Sequence, residues 1–312
     1  MEILLILLLA IILDLTLGDP PDAIHPVAWM GKVASFLEKG GNSFHPIVQF
    51  LYGAGMLVII AGLFAVPVYF FLLYLQSLNS VAYVVIGAII LKSTFSLREL
   101  RRTALRIKSL LQEEKLDEAR FELRSLVSRD TKSLPGPLLV SATVESVAEN
   151  TNDSFIAPLF YFLWLGIPGA ITYRVVNTLD SMVGYHGKYE YLGKFASRLD
   201  DLLNFIPARL TALLIVLATF LTRRDGRASW RVTLKDHAKS ESPNAGWPMA
   251  AVAGALNVQL EKVGQYKLGK TNTPLVPETI DASLVLALIA ALVWMVICFA
   301  VGGIQFVLNA QT

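Results

Sequence analysis

Two long stretches of the chain carry no charged residue. Pro46 to Leu91 contains no Asp, Glu, Lys or Arg, and no charged residue follows Asp281. A helix that crosses the hydrocarbon core of a bilayer needs about 20 consecutive apolar residues, and both stretches are long enough. The whole chain has a mean hydropathy of +0.54 with only 17% charged residues. The sequence therefore predicts an integral membrane protein.

The apolar segments predict an all-α, polytopic bundle. A first helix covers about residues 2 to 17, and Asp14 interrupts its apolar sequence, either as a buried functional acid or as a solvated residue at the helix end. The loop GDPPDAIHPVAWMG follows, whose Pro-Pro and His-Pro steps oppose a helix. The polar break QSLNS near 76 to 80 then divides the next stretch into a hairpin of two spans. The lone cysteine, Cys298, excludes a disulfide framework.

Residues 92–133 differ from the rest of the chain because they are rich in charge. They contain eleven Lys and Arg against seven Asp and Glu, with apolar residues at helical spacing. This pattern predicts an amphipathic helical hairpin outside the bilayer, inserted into a single membrane domain of residues 1–312. Because basic residues accumulate on the cytoplasmic side, we expect the hairpin and a polar cavity to face the cytoplasm of a cell-membrane protein.

Acidic and amide side chains share one face of the helix predicted around ESVAENTNDS. Glu145, Glu149, Asn152 and Asp153 fall within about a quarter turn at 100° per residue. Several carboxylates on one stripe repel one another unless a cation lies among them, and hard oxygen ligands suit Mg²⁺. A cation among these acids is therefore one interpretation of the stripe, and a solvated helix face is the alternative.

The next apolar segment is broken by GIPG at 166–169. Each piece is short for a full span, and broken or re-entrant helices occur where they line a protein-walled cavity. The second piece is predicted to form a polar wall that consists of Tyr173, Arg174, Asn177, Asp180 and Gly184. Whether 155–183 crosses the bilayer once or re-enters is left open by the sequence.

Further polar residues follow in two clusters. The first contains Lys188, Arg198, Asp200, Asp201 and Arg209. The second contains Ser242 and Asn244 before a helix start at Trp247-Pro248, where backbone N–H groups can hold an anion. The four histidines have no metal-ligand spacing, and no nucleotide-binding motif occurs. Three classes remain open on the residues alone: an enzyme acting on a phosphorylated substrate, a transporter, and a sensor or regulator.

Several segments resemble the signature blocks of the adenosylcobinamide-phosphate synthase family of cobalamin biosynthesis, in the same order and over about residues 14 to 256. These blocks are LDLTLGDPPDAIHPVAWMG, SRDT at 128–131, VESVAENTNDSFIAPLFY, PGAITYRVVNTLDSMVGY, ASRLDDLLNFIPARLTA and SPNAGWPMAAVAGAL. Residues 257–279 resemble no block and are left unassigned. The family also resembles inner-membrane regulators of β-lactamase induction, but the intact acidic blocks favour the enzyme.

The resemblance implies an ATP-dependent ligase that uses Mg²⁺. The enzyme would join (R)-1-aminopropan-2-ol, either free or as its O-phosphate, to the ring D propionate of adenosylcobyric acid. It would lie in the lipid bilayer and would have no nucleic-acid partner. The catalytic candidates implied are Glu145, Glu149, Asn150, Asp153, Asn177 and Asp180, with Glu149 and Asp153 as the metal ligands. The candidates for phosphate and propionate contacts are Arg174, Lys188, Arg198, Asp201, Ser242 and Asn244, followed by Asp19, His25 and Arg129.

A corrinoid is large, so its pocket should be a wide cleft with aromatic walls. Aromatic rings supply contact area with few rotatable bonds. The available rings are Trp29, Tyr161, Trp164, Tyr185 and Trp247. The alternative for these rings is anchoring at the membrane interface.

Overall fold

The computed structural model describes residues 1–41, 45–185, 187 and 189–311. Within this part of the chain, the α-helices are α1 (Glu2–Thr16), α2 (Pro26–Gly41), α3 (Pro46–Leu78), α4 (Ser80–Lys92), α5 (Leu97–Gln112), α6 (Leu116–Leu123), α7 (Gly136–Thr151), α8 (Ala157–Val183), α9 (Lys194–Leu203), α10 (Phe205–Leu221), α11 (Gly226–Asp236), α12 (Gly246–Leu256) and α13 (Glu278–Gln311). A π-helical turn covers Asn152–Ile156, a 3₁₀ turn covers His237–Lys239, and two strands are β1 (Gln259–Lys262) and β2 (Tyr266–Gly269).

Four helical segments among the described residues are long and apolar enough to cross a membrane. They are Pro46–Leu78, Ser80–Gln112, Gly136–Val183 and Glu278–Leu308. The pair α9 and α10, bent by 47° at its junction, would make a fifth. The predicted all-α membrane class, including a broken helix, is confirmed.

The break predicted at QSLNS separates α3 from α4. Asn79 is extended, and its side-chain Oδ1 accepts a hydrogen bond from the backbone N–H of Ala82 at 3.0 Å. This capping bond satisfies a backbone donor that the first turn of α4 cannot pair within the helix. The hairpin of two apolar helices is therefore present as predicted.

The charged segment forms the two short helices α5 and α6, which pack together. The buried positions of α5 include Leu100, Ala104, Ile107 and Leu111, which lie on the apolar stripe that the sequence predicts. The side of the membrane on which this hairpin lies stays a prediction.

The break at GIPG lies inside α8. Gly166 has φ 65° and ψ −162°, which is not a helical conformation and is readily adopted only by glycine. Pro168 follows and has no N–H to donate, so the helical hydrogen-bond ladder is interrupted here as well. The predicted interruption of this segment is confirmed.

The described residues divide into two compact units. The first unit consists of 1–96, 157–204 and 297–312, in which α1 packs on α4 and α8 packs on α3 and α9. The second consists of 97–156 and 205–296, in which α12 packs on α10 and α11, and α7 packs on α5. The single membrane domain with an insertion at 92–133 stays a prediction.

Residues 257–279, which the sequence left unassigned, contain an antiparallel hairpin. Leu260 pairs with Leu268 across the two strands, and both side chains are fully buried. The hairpin packs on α7 and α12 in the second unit. The hairpin therefore places residues 259–269 beside α7, the helix that contains most of ESVAENTNDS.

Candidate active site

Glu145 is the centre of a buried polar cluster in the second unit. Glu145 is only 4% exposed, and its carboxylate pairs with the Arg129 guanidinium at 3.0 Å. The hydroxyls of Ser141 and Tyr266 also donate to it, at 2.6 and 2.8 Å. A buried carboxylate needs such partners because desolvation penalises an unpaired charge. Two predicted residues, Glu145 and Arg129, are thus brought together.

Tyr266 was missed by the sequence reasoning. It is the first residue of β2. Burial raises the pKa of Tyr266 above its ordinary value, and the charge of Glu145 and the hydrogen bond to Glu145 raise it further. Ser141 links the same cluster to the other strand, because its Oγ also accepts the backbone N–H of Glu261 at 2.8 Å. A cavity of about 200 Å³ lies beside it, lined in part by Arg129 and Lys262.

Glu149 and Asp153 lie beyond Glu145, toward the end of α7. Both are partly exposed, in contrast to buried Glu145. Between them the chain changes from an α-helix to a π-helical turn, a feature that often occurs at functional sites. Asp153 accepts a hydrogen bond from the amide of Asn152 at 2.7 Å, and Asn152 in turn accepts one from Thr211 at 3.0 Å. The π turn is therefore anchored to α10.

Asn150 makes local contacts on the same helix. Its amide nitrogen donates to the carbonyl and the hydroxyl of Ser146, both at 3.0 Å, and its carbonyl oxygen accepts from the Ser154 hydroxyl at 3.0 Å. These bonds bridge the start of the π turn. They hold the backbone from which Glu149 and Asp153 project.

Within the part of the chain that the structure describes, Glu149 and Asp153 do not belong to a cluster of protein ligands that could enclose a metal ion. Among the described residues, no group of three or more His, Cys, Asp or Glu side chains could hold a metal ion together. Mg²⁺ commonly binds through one or two carboxylates and keeps several waters or phosphate oxygens. Partly exposed Glu149 and Asp153 are compatible with that requirement.

In the first unit, Lys92 joins two acids that are far away in sequence. Its ammonium lies 3.1 Å from a carboxylate oxygen of Asp14 and pairs directly with Asp19, while Ser96 donates to the other oxygen of Asp19 at 2.7 Å. Asp14 is 1% exposed. The alternative that Asp14 is a solvated residue at the helix end is therefore wrong, because the loop after α1 packs against the end of α4.

Asp19 keeps its negative charge in this cluster. Burial alone would raise the pKa of Asp19, but the hydrogen bonds from Lys92 and Ser96 and the charge of Lys92 outweigh it, so the pKa lies below its usual value. Lys92 was not among the candidate residues. Its position at the end of an uncharged apolar run was the available signal, since a lysine buried there needs an acidic partner.

His25 immediately precedes α2. Its ring Nδ1 accepts the backbone N–H of Val27 at 3.1 Å, so the proton of the neutral ring is assigned to Nε2. Burial lowers the pKa of His25 below its ordinary value despite the opposing charge of Asp19, and Lys92 and Arg174 add to the lowering. Asp19, His25 and Arg174, all candidates from the sequence, thus share one electrostatic environment.

The predicted polar wall of α8 faces the SRLDD block of α9. The Asn177 amide donates to Asp200 at 3.4 Å, and the Tyr173 hydroxyl donates to Asn204 at 2.9 Å. Arg174 donates to Asn177 at 3.4 Å. The wall is therefore a polar helix–helix contact within the first unit.

Asp180 continues the same face one turn further along. It shares a hydrogen bond with Ser197 of α9. Arg198 of α9 is exposed, and Asp201, one turn later, is partly exposed. Lys188 lies outside the described residues.

Ser242 and Asn244 lie in the loop before α12. The Ser242 hydroxyl accepts the backbone N–H groups of Asn244 and Ala245, each at 3.2 Å. The Asn244 side chain is buried and accepts a hydrogen bond from Arg209 of α10 at 3.1 Å. The helix begins at Gly246 with Pro248 in its first turn, as the sequence predicts. The sequence places Arg209 in the first of the two polar clusters and in the ASRLDDLLNFIPARLTA block, but it assigns no role to this residue.

The aromatic candidates have different surroundings. Trp164 is 67% exposed, and Trp29 and Tyr185 are each 44% exposed. Tyr161 stacks on Tyr173 with ring centroids 5.3 Å apart. Their role as walls of a corrinoid cleft stays a prediction.

A helical chain with four or five apolar segments of spanning length, whose polar clusters are buried among them, is a multi-pass membrane protein. Comparison with known proteins then gives its family. Residues 7–286 match the CobD/Cbib protein family, and the chain belongs to that family. No solved structure matches the chain.

Named relatives cover most of the chain. It is 56% identical over 306 residues to the cobalamin biosynthesis protein CobD of Dehalococcoides mccartyi, which covers 98% of this chain and 99% of that protein. It is 44% identical over 266 residues (85% and 86%) to the probable cobalamin biosynthesis protein CobD of Methanothermobacter thermautotrophicus. The corresponding protein of Pyrococcus furiosus is 43% identical over 263 residues (83% and 85%).

Proposed function

We propose that the protein is a membrane-bound enzyme of cobalamin biosynthesis that forms an amide bond between the ring D propionate of adenosylcobyric acid and aminopropanol or its O-phosphate. The observation that carries this proposal is the family match over residues 7–286, together with 56% identity to a cobalamin biosynthesis protein over nearly the full chain. The active site would face the cytoplasm of a cell membrane.

The proposed reaction has two chemical requirements. A carboxylate is a poor acyl donor because its oxygen does not leave readily, and an ammonium has no lone pair for attack. Mg²⁺ and ATP would supply the activation, so that one propionate oxygen leaves with a phosphate group. The chain itself must hold the propionate, deprotonate the amine and bring the two together, which alone can contribute several kcal/mol.

The π turn after α7 supports this assignment of roles. Glu149 and Asp153 are the proposed Mg²⁺ ligands because they are partly exposed carboxylates on an anchored backbone. Glu145, which is already paired with Arg129, would position α7 through its buried cluster. Asn150 would hold the turn, and an oxygen of Glu149 would accept the proton that the amine loses.

Asn177 and Asp180, which lie in the first unit, are the remaining proposed catalytic residues. The other candidates are proposed to bind the substrates. Cationic and polar side chains would contact the phosphate and propionate groups through charge-assisted hydrogen bonds. These are Arg174, Lys188, Arg198, Ser242, Asn244, His25 and Arg129, while the carboxylates of Asp19 and Asp201, which would repel such anions, would bind hydrogen-bond donors of the substrates.

The decisive experiment is to weigh the corrinoid. Purified protein is incubated with adenosylcobyric acid, aminopropanol phosphate, ATP and Mg²⁺, and the corrinoid is analysed by mass spectrometry. A gain of one aminopropanol phosphate less one water supports the proposal, and omission of ATP or Mg²⁺ should prevent it. An unchanged corrinoid mass, beside an active control enzyme, would favour a regulator, and uptake of corrinoid into sealed vesicles without conversion would favour a transporter.

Glu149→Gln tests the metal site in the same assay. We expect kcat to fall at least tenfold, equivalent to about 1.4 kcal/mol in the barrier, because the substitution removes a charge but keeps the shape. Glu118→Gln is the matched control, since Glu118 is an exposed acid on α6. Retention of more than about a tenth of the wild-type kcat would remove Glu149 from the metal and base roles.

A further inference from the structure

Arg209 is held between two aromatic rings in the second unit. Its guanidinium carbon lies 3.6 Å from the ring centroid of Phe205 and 4.7 Å from that of Trp247. A planar guanidinium favours such stacked positions, and the contact fixes its orientation. The side chain is therefore placed in advance of any ligand, unlike a freely rotating surface arginine.

The hydrogen bonds of this guanidinium use only one of its nitrogen atoms. Nη1 donates to the Phe205 carbonyl at 2.6 Å and to the Asn244 side-chain oxygen at 3.1 Å. Among the described residues, Nε and Nη2 of Arg209 donate to no acceptor, and no carboxylate forms an ion pair with this side chain. These two nitrogens form the edge with which arginine binds phosphate or carboxylate through two parallel hydrogen bonds.

The loop that orients Arg209 is itself rigidly built. Asn244 is 4% exposed, and its backbone is held by the Ser242 hydroxyl. Ser240 donates to the Ser242 carbonyl at 2.7 Å. Gly246 packs so closely that an added Cβ would lie 1.9 Å from the His237 carbonyl oxygen. The asparagine that fixes the guanidinium therefore has little freedom to move.

Among the described residues, no carboxylate forms an ion pair with Arg209, so its charge has no acidic partner there. The buried indole N–H of Trp247 also has no acceptor among the described residues. The loop leads into α12, whose N-terminal end is the positive end of the helix dipole. An anion would satisfy these groups together.

We propose that Arg209, oriented by Phe205, Trp247 and Asn244, binds a phosphate group. A guanidinium edge of fixed direction matches a phosphate monoester or diester. Two sources share this chemistry. One is a soluble phosphorylated compound, and the other is a phospholipid headgroup, since Phe205 and Ile206 beside the arginine expose 52% and 58% of their surface.

The test compares Arg209→Met and Arg209→Lys with wild type in the full-length protein. Tryptophan fluorescence is titrated with inorganic phosphate and with aminopropanol phosphate at constant ionic strength, in a detergent that contains no phosphate. Phosphatidylglycerol retained by the protein is measured by native mass spectrometry, with a phosphate-free galactolipid as reference. Arg231→Met is the matched control, because Arg231 is exposed on α11 of the same unit.

We expect Arg209→Met to weaken phosphate binding by about 10- to 100-fold, from the loss of a charge-assisted pair. Arg209→Lys should weaken it less, because a lysine keeps the charge but not the two-pronged geometry. Loss of the soluble phosphate compounds alone identifies a substrate phosphate site, and loss of phosphatidylglycerol alone identifies a lipid site. If neither depends on Arg209, or if Arg231→Met loses as much, the proposal is wrong.

This site can fail or stand separately from the proposed ligation. Binding that depends on Arg209 in a wild-type protein without ligase activity would leave the phosphate site intact and remove the enzyme proposal. Wild-type ligation with unchanged phosphate and lipid binding in Arg209→Met would do the reverse.

Discussion

Replacing Arg129 by methionine should destabilise the second unit strongly. Glu145 is only 4% exposed. The substitution leaves its carboxylate with hydrogen bonds from the hydroxyls of Ser141 and Tyr266, but without its cationic partner. Breaking a buried ion pair by removing one partner typically costs about 3–5 kcal/mol, because the remaining charge stays desolvated. Methionine preserves much of the arginine stem, so lost packing should contribute little.

The double variant Arg129→Met, Glu145→Gln separates charge from packing. It removes both charges and keeps the approximate shape of both side chains, and the amide oxygen of Gln can still accept a hydrogen bond from one of the two hydroxyls. Replacing both members of a buried pair is often close to neutral. We therefore expect the double variant to recover at least about 2 kcal/mol of the loss, which a double-mutant cycle would report as coupling.

Intrinsic tryptophan fluorescence provides the assay. Trp230, Trp247 and Trp294 lie in the second unit, so their emission should change when that unit unfolds. At a fixed scan rate in detergent, Arg129→Met should lower the apparent Tm by about 6–10 °C, at roughly 2 °C per kcal/mol for a chain of this size. The ion-pair argument is refuted if the single variant loses less than about 2 °C, or if the double variant is no more stable than the single one.

Three further outcomes follow from the buried clusters. Lys92→Met should lower the apparent Tm more than Lys92→Met combined with Asp14→Asn, because the single change leaves two buried or half-buried acids without their cation. The pKa values of His25 and Asp19 both lie below their ordinary values. Stability should therefore fall as the pH drops below about 6.5, where His25 of the unfolded chain binds a proton, and again below about 4, where Asp19 of the unfolded chain does so. In pH-dependent thermal unfolding, His25→Asn should abolish the first of these two losses. Because the pKa of Tyr266 is raised, the stabilisation it gives over Tyr266→Phe should be complete below about pH 10 and decline above it. Absorbance at 295 nm should show the same number of phenols titrating near pH 10 in folded wild type and in folded Tyr266→Phe.

The helices could be predicted because their signals are local. Uncharged runs of spanning length, the break around Asn79 and the apolar stripe of α5 each depend on residues that are neighbours in the chain. Gly166 and Pro168 interrupt a helix through their own backbone chemistry. Such features need no knowledge of which segments meet.

The contacts of the candidate site could not be predicted, because they join distant segments. Lys92 meets Asp19 across 73 positions, and Tyr266 meets Glu145 across 121. Helical periodicity placed Glu145 and Glu149 of α7 on one face, but it could not show that Glu145 is buried against an arginine. The β-hairpin was missed for a related reason: its strands are four residues long, and charged residues accompany the paired Leu260 and Leu268.

The late position of Tyr266 affects how the protein is made. Arg129 is synthesised before Glu145, but Tyr266 is synthesised 121 residues after Glu145. At ordinary rates of synthesis, this interval lasts about 6 to 24 s. During that interval α7 has its arginine partner but not its tyrosine, and the hairpin that packs on it does not yet exist. Biogenesis of the second unit therefore has a final step that waits for residues 259–269, and nascent chains that stop before them should remain accessible to proteases around α7.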